Sequence, residues 1–120
     1  MSIYKTNFGI ESVDVAHTLK HIGCIEIRVN DLDNAIQHLL ESLDIFKMKQ
    51  GEKSVDIADI LHHLGRIFGK KAEYQRSLEY FQECLSLRES LLSPDDRNIT
   101  DTRRFVDAIR KKVESLAKQG

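Results

Sequence analysis

Proline is almost absent from this sequence of 120 residues, which contains only Pro94. Folds built of strands and tight turns use proline and glycine often, whereas long helices exclude both from their interiors. Pro94 lies in a Ser-Pro-Asp-Asp stretch between two segments of regular apolar spacing, where a break between helices is expected. The scarcity of proline therefore predicts an all-α protein.

A surplus of charge of either sign is also missing. The chain carries 18 lysines and arginines against 19 aspartates and glutamates, which gives a formal net charge of -1. Nucleic acids and anionic membranes attract proteins that present an excess of basic side chains. We therefore expect neither nucleic acid nor a membrane surface as a partner.

Long apolar runs and a cysteine framework are absent as well. No apolar run is long enough to span a bilayer, and the N-terminal stretch lacks the apolar core of a secretory signal. Cys24 and Cys84 are too few for a disulfide framework. Together these features predict a soluble protein of a reducing compartment, with a cytoplasmic location.

The chain does contain an internal repeat with a period of 42 residues. Shifting the sequence by that distance places residues 12–25 over residues 54–67, and eight of these fourteen positions are identical. Self-similarity at a fixed period of this length is the signature of repeat architectures. We therefore expect two full repeats within one domain, residues 12–53 and residues 54–95.

The first helix of each repeat is predicted from the spacing of its apolar residues. Ser12 precedes the first such helix, where its hydroxyl can accept a hydrogen bond from a first-turn amide. Asn30 follows the helix, and asparagine tolerates the left-handed conformation that closes many helices. The apolar stripe between them recurs at intervals of three and four residues and consists of Val15, Leu19, Ile22, Ile25 and Val29.

A second helix and a final helix complete the predicted architecture. The second helix of the first repeat carries apolar residues from Ala35 to Phe46, and Gly51 is expected to end it. After Pro94, residues 97–118 are predicted to form a helix with a narrow apolar stripe on one side and many charged residues on the other. Because an open end of a repeat stack exposes its core, this last segment is predicted to be a capping helix.

Small residues recur where paired helices would approach each other closely. They are Gly23 and Gly65 in the first helices, and Ala35, Ser42, Ser77 and Cys84 in the second helices. This pattern resembles the tetratricopeptide repeat, and the 42-residue period with its Val-Asp-x-Ala-x-x-Leu opening resembles the kinesin-light-chain-like branch of that family. The resemblance implies a solenoid of helical hairpins and a non-catalytic scaffold or adaptor that binds proteins or peptides.

The same resemblance implies a concave groove, lined by the first helices, in which a partner segment lies. The middle positions of this groove are basic, so an acidic peptide is one expected ligand. The alternative is that these residues are ordinary solvated charges on amphipathic helices. The predicted peptide-binding residues are His17, Lys20, Cys24, Asp59, His62, Arg66 and Arg104.

Self-association is the alternative function. Residues 1–9 resemble the tail of a preceding repeat, since residues 3–9 fall over residues 45–51. If the first helix lacks a complete neighbour, Ile22 and Val29 lie on an uncovered repeat end. Uncovered apolar ends of this kind favour a homo-oligomer.

Motifs for metal binding or catalysis are not found. His17 and His21 are four residues apart, which is a ligand spacing, but neither Cys-x-x-Cys nor His-Glu-x-x-His accompanies them. His21 and His63 occupy the same repeat position, which favours a packing role. Nucleophile elbows and phosphate-binding glycine loops are absent too. We therefore expect no catalytic residue, no metal and no cofactor.

Overall fold

The computed structural model describes residues 12–119, so the predicted repeat tail at residues 1–9 lies outside the described residues. The described part contains helices and turns without a strand, which confirms the prediction of an all-α fold. Its five helices are α1 (Val13–Arg28), α2 (Leu32–Gln50), α3 (Val55–Lys70), α4 (Tyr74–Leu91) and α5 (Arg97–Gln119).

The helices begin at intervals that match the sequence repeat. α1, α3 and α5 begin at Val13, Val55 and Arg97, which are spaced 42 residues apart. α2 and α4 begin at Leu32 and Tyr74, with the same spacing. The last helix therefore starts where the first helix of a third repeat would start.

The same capping position starts α1, α3 and α5. The Ser12 hydroxyl accepts a hydrogen bond from the Val15 amide at 3.2 Å, and the Ser54 hydroxyl accepts one from the Ile57 amide at 3.1 Å. The carboxylate of Asp96 accepts from the Asn98 amide at 2.8 Å. Each cap satisfies an amide that has no partner inside its helix.

The turns that close α1 and α3 have the same backbone geometry. Asn30 has a φ of 64°, as the sequence predicts, and Ala72 at the matching position has a φ of 61°. The amide after each of them donates to a carbonyl five residues back, at 2.8 and 2.9 Å. This pattern is the Schellman closure, in which a left-handed residue lets the chain reverse into the next helix.

The chain divides into two compact units, and the division between Ile60 and Leu61 falls within α3. In the first unit α1 packs against α2. A Cβ atom added to Gly23 would lie 2.8 Å from Cγ of Leu39, so the two helices approach too closely for any side chain there. The Ser42 hydroxyl donates to the carbonyl of Ala16 at 2.7 Å, which ties the helices together at a second point.

The second unit repeats this close approach. A Cβ atom on Gly65 would lie 3.0 Å from three ring carbons of Phe81, which is 1% exposed. The Ser77 hydroxyl donates to the carbonyl of Gly65 at 2.6 Å. Both small positions therefore bring a second helix against the backbone of a first helix.

The helix α5 packs against α4 in the second unit. Leu78 and Phe81 of α4 form a buried cluster with Val106 of α5. The buried guanidinium of Arg88 donates to the Thr102 hydroxyl at 2.7 Å. Among the described residues, no helix combines the length and apolar character needed to cross a membrane.

We expect Gly65→Ala to lower the free energy of unfolding. Alanine is favoured over glycine in a helix by about 1 kcal/mol. Overpacking a tight core costs about 1–3 kcal/mol, and this cost applies here because the new methyl group would press on the buried ring of Phe81. Gly69→Ala is the matched control, because its Cβ would meet its nearest neighbour at 3.4 Å, an ordinary contact. Urea unfolding of both variants measures the difference, and equal stabilisation by the two alanines would contradict the close approach.

Candidate functional site

An open pocket of about 400 Å³ lies in the second unit beside the two glycines of α3. Gly65 and Gly69 are four residues apart, so both lie on one side of the helix. Residues of α4 and α5 line the pocket together with these two glycines. The apolar part of the lining comprises Gly65, Gly69, Phe81, Phe105 and Ile109.

The pocket coincides with a departure from the internal repeat. The residue of the first unit that matches Gly69 is Ile27, whose side chain is 3% exposed. An isoleucine therefore contributes to the core of the first unit where the second unit has only a hydrogen atom. The pocket therefore lies at a repeat position where the second unit has glycine in place of isoleucine.

Stacked aromatic rings form one wall of the pocket. The rings of Phe81 and Phe105 stack with their centroids 4.9 Å apart and their planes 13° from parallel. Phe81 is buried, whereas the Phe105 side chain is 38% exposed. This wall therefore presents an aromatic surface to whatever enters the pocket.

His62 supports this aromatic wall from the side. Its ring meets those of Phe81 and Phe105 edge to face, with centroid distances of 5.4 and 5.0 Å. Its Nδ1 atom is buried without a hydrogen-bond partner in the described part of the chain. Burial lowers the pKa of His62 from 6.5 to about 3. Smaller contributions come from the positive charges of Arg88, His63 and Arg66.

Basic side chains border the pocket, and no acidic residue is found among the described residues that line it. Arg66, Lys70 and Lys112 are exposed members of the lining, and the half-buried Tyr74 lies among them. The Lys112 ammonium lies 5.6 Å from the centroid of the Tyr74 ring, a cation–π contact. Within residues 12–119, none of these three cations forms an ion pair with a carboxylate. The pocket is therefore apolar at its wall and positively charged at its border.

Four of the predicted peptide-binding residues lie in the first unit, where two of them pair with each other. The Lys20 ammonium lies 3.7 Å from the carboxylate of Asp59 and 3.6 Å from that of Asp56. The ring of His17 meets the ring of Phe46 edge to face, with the ring centroids 5.1 Å apart. Cys24 is half-buried. Acidic neighbours therefore already neutralise the first-unit cation that the sequence suggested for an acidic ligand.

The remaining three predicted residues lie in the second unit. Arg66 lines the pocket, His62 packs against its aromatic wall, and Arg104 is exposed on α5 outside the lining. Sequence reasoning missed Lys70, Tyr74, Phe105, Ile109 and Lys112. A signal was present for two of them, because Lys70 and Lys112 occupy the repeat position that Arg28 holds in α1.

The histidines and acidic residues do not cluster in the manner of a metal site. Among the described residues, no three His, Cys, Asp or Glu side chains lie close enough together to hold an ion. His38 instead pairs with Glu26 at 2.7 Å in the first unit. The second-unit pocket presents apolar surface and basic side chains.

The lowered pKa of His62 predicts a loss of stability in acid. Between pH 6.5 and about 3 the unfolded chain protonates this imidazole, whereas the folded chain keeps it neutral. Since the unfolded state then binds more protons, the free energy of unfolding falls as the pH falls through this range. We expect His62→Leu to show a shallower pH dependence than the wild type in urea unfolding. His21→Leu, which removes an exposed imidazole, is the control, and identical pH profiles for wild type and His62→Leu would contradict the prediction.

Comparison with known proteins agrees with the helical-hairpin fold. The tetratricopeptide repeat family model matches residues 14–90. The crystal structure of BtubC (BKLC) from P. vanneervenii, a kinesin light chain-like repeat protein, superposes with a TM-score of 0.83 at 21% sequence identity. That match covers 97% of this chain but 46% of the BtubC chain, so this chain spans less than half of the other protein. No curated protein matches the sequence. Because the family model covers more than half of the residues, the chain belongs to the tetratricopeptide repeat family.

Proposed function

We propose that this chain is a non-catalytic adaptor that binds an acidic segment of a partner protein in the pocket of the second unit. Tetratricopeptide repeats serve in general as protein-interaction and scaffold modules, and the family is generally non-catalytic. The cytoplasm remains the expected location. The observation that carries the finer proposal is the pocket itself, with its aromatic wall and with cations that have no acidic partner among the described residues.

The apolar wall supports the affinity of such a site. Burying an apolar side chain of a ligand contributes about 25 cal/mol per Å² of area removed from water. Phe105 is already partly exposed to receive such a side chain, so little rearrangement of the pocket is needed. An aromatic or large aliphatic residue of the partner is therefore the expected anchor.

The border cations support the choice of an acidic segment. Exposed ion pairs contribute only about 0–1 kcal/mol each, so they select and orient a ligand more than they hold it. Arg66, Lys70 and Lys112 have no acidic partner within the described chain, whereas Lys20 of the first unit has two. An acidic residue next to the apolar anchor would therefore form favourable charge interactions with the cations of the second-unit pocket. The same residue would form weaker ones at Lys20, whose charge is already balanced by two aspartates.

Selection from a random peptide display library on the immobilised wild-type chain tests this function. We expect enrichment of peptides that combine a large apolar residue with neighbouring acidic residues. Affinity of an enriched peptide is expected to fall about tenfold or more, equivalent to about 1.4 kcal/mol, in Arg66→Glu/Lys112→Glu. Titration calorimetry on wild type and variant measures the change.

The matched control for the charge reversal is Lys111→Glu/Lys118→Glu. Both of these lysines are exposed on α5 outside the pocket lining, and the double variant changes the net charge by the same amount. Circular dichroism checks that both variants keep their helicity. The proposal is wrong if no peptide is enriched, or if the control variant weakens binding as much as the pocket variant.

Self-association is the second candidate function, and one observation favours it. Ile22 and Ile25 of α1 are 37% and 55% exposed, whereas Leu64 and Ile67 at the matching positions of α3 are fully buried. The apolar face that is buried on α3 in the second repeat is thus partly exposed to solvent on α1 in the first repeat. Light scattering across a wide concentration range separates the two functions. A constant monomer mass favours the pocket, and a concentration-dependent oligomer that Ile25→Glu abolishes favours self-association.

A further inference from the structure

We infer that the segment bound by the second-unit pocket carries a phosphorylated tyrosine. The inference rests on the proposed function, since it specifies the ligand of the same pocket. Two properties of the pocket point to this side chain together, namely the number of unpaired cations at the border and the aromatic character of the wall.

The number of cations favours a doubly charged group. A carboxylate brings one negative charge, whereas a phosphate monoester carries about −1.5 to −2 charges at pH 7 and three strong acceptor oxygens. Arg66, Lys70 and Lys112 supply three positive charges, and the lining contributed by residues 12–119 includes no acidic side chain. The planar guanidinium of Arg66 can also bind two phosphate oxygens at once, a geometry that arginine shares with few other side chains.

The aromatic wall favours a phenyl ring between the phosphate and the partner backbone. Phosphoserine is short, so its phosphate would reach the border cations while leaving the wall uncovered. A phosphotyrosine ring can instead lie against Phe105 and Ile109, with its phosphate at the cations. Gly69 belongs to the pocket lining and adds no side chain to it, so the ring would lie beside the helix backbone.

The first unit provides an internal comparison within the same chain. Cys24 stands at the position of Arg66, and Ile27 stands at the position of Gly69. At these positions the first unit therefore has neither the arginine nor the glycine, although Arg28 matches Lys70. A phosphotyrosine site is accordingly expected in the second unit alone.

Titration of the full chain with three small probes tests the inference. The probes are N-acetyl-phosphotyrosine amide, N-acetyl-tyrosine amide and N-acetyl-phosphoserine amide. Binding of each probe is followed by the change in the amide NMR signals of Gly65 and Gly69. We expect the phosphotyrosine probe to shift these signals and to bind about tenfold more tightly than either other probe, which corresponds to about 1.4 kcal/mol. Saturation with the phosphotyrosine probe should leave the signals of Gly23 unmoved.

Two neighbouring lysines of α5 supply a matched pair of variants. Lys112→Gln removes a cation that lines the pocket, and Lys111→Gln removes an exposed cation outside the lining. We expect Lys112→Gln to lower the affinity for the phosphotyrosine probe about threefold or more, in line with the modest energy of an exposed ion pair. Lys111→Gln is expected to leave this affinity unchanged. Because both residues are exposed, neither change is expected to disturb folding.

Three outcomes would overturn the inference: equal affinity for the phosphotyrosine and phosphoserine probes, equal affinity for the phosphorylated and unphosphorylated tyrosine, or equal weakening by the two glutamine variants. Failure here remains distinguishable from failure of the proposed function. If the acidic peptides from the display selection still bind and depend on Arg66, the pocket binds acidic segments and the phosphotyrosine assignment alone is wrong.

Discussion

The close approach of paired helices at one glycine in each repeat is the constraint on which the rest of the structure depends. Gly23 lies against Leu39 in the first unit, where a Cβ atom would be 2.8 Å from Cγ of Leu39, and Gly65 lies against Phe81 in the second, where a Cβ atom would be 3.0 Å from the ring. Because protein cores pack as densely as organic crystals, a side chain at either position would separate the helices. The serine hydroxyls that bind the first-helix carbonyls in both units depend on the same short distance.

The candidate site arises where the second repeat departs from the first. Both repeats need glycine at the contact position, but only the second has another glycine one turn later, at Gly69. That position does not contact Phe81, and a Cβ atom there would make only ordinary contacts. The second glycine is therefore not required for close packing, and it lies in the lining of the pocket beside aromatic and basic residues.

The fold follows from the sequence more completely than the site does. Helix starts, the Ser12 cap and the left-handed Asn30 are readable because each depends on local chemistry or on the repeat period. Periodicity also places Lys20 and Arg66 on one side of their helices. It does not show which side chains of other helices meet them, so the pairing of Lys20 with two aspartates could not be predicted. The role of Phe105 in the pocket could not be predicted for the same reason, since its contacts are with side chains of other helices.

The most direct test of this account is the affinity of a selected acidic peptide for Gly69→Ile, which restores the residue found at the matching position of the first repeat. The account predicts that isoleucine fills the pocket, so binding is lost while the far-ultraviolet circular dichroism spectrum stays that of the wild type. Retention of wild-type affinity by a folded Gly69→Ile chain would contradict the claim that the space beside Gly69 is the binding site.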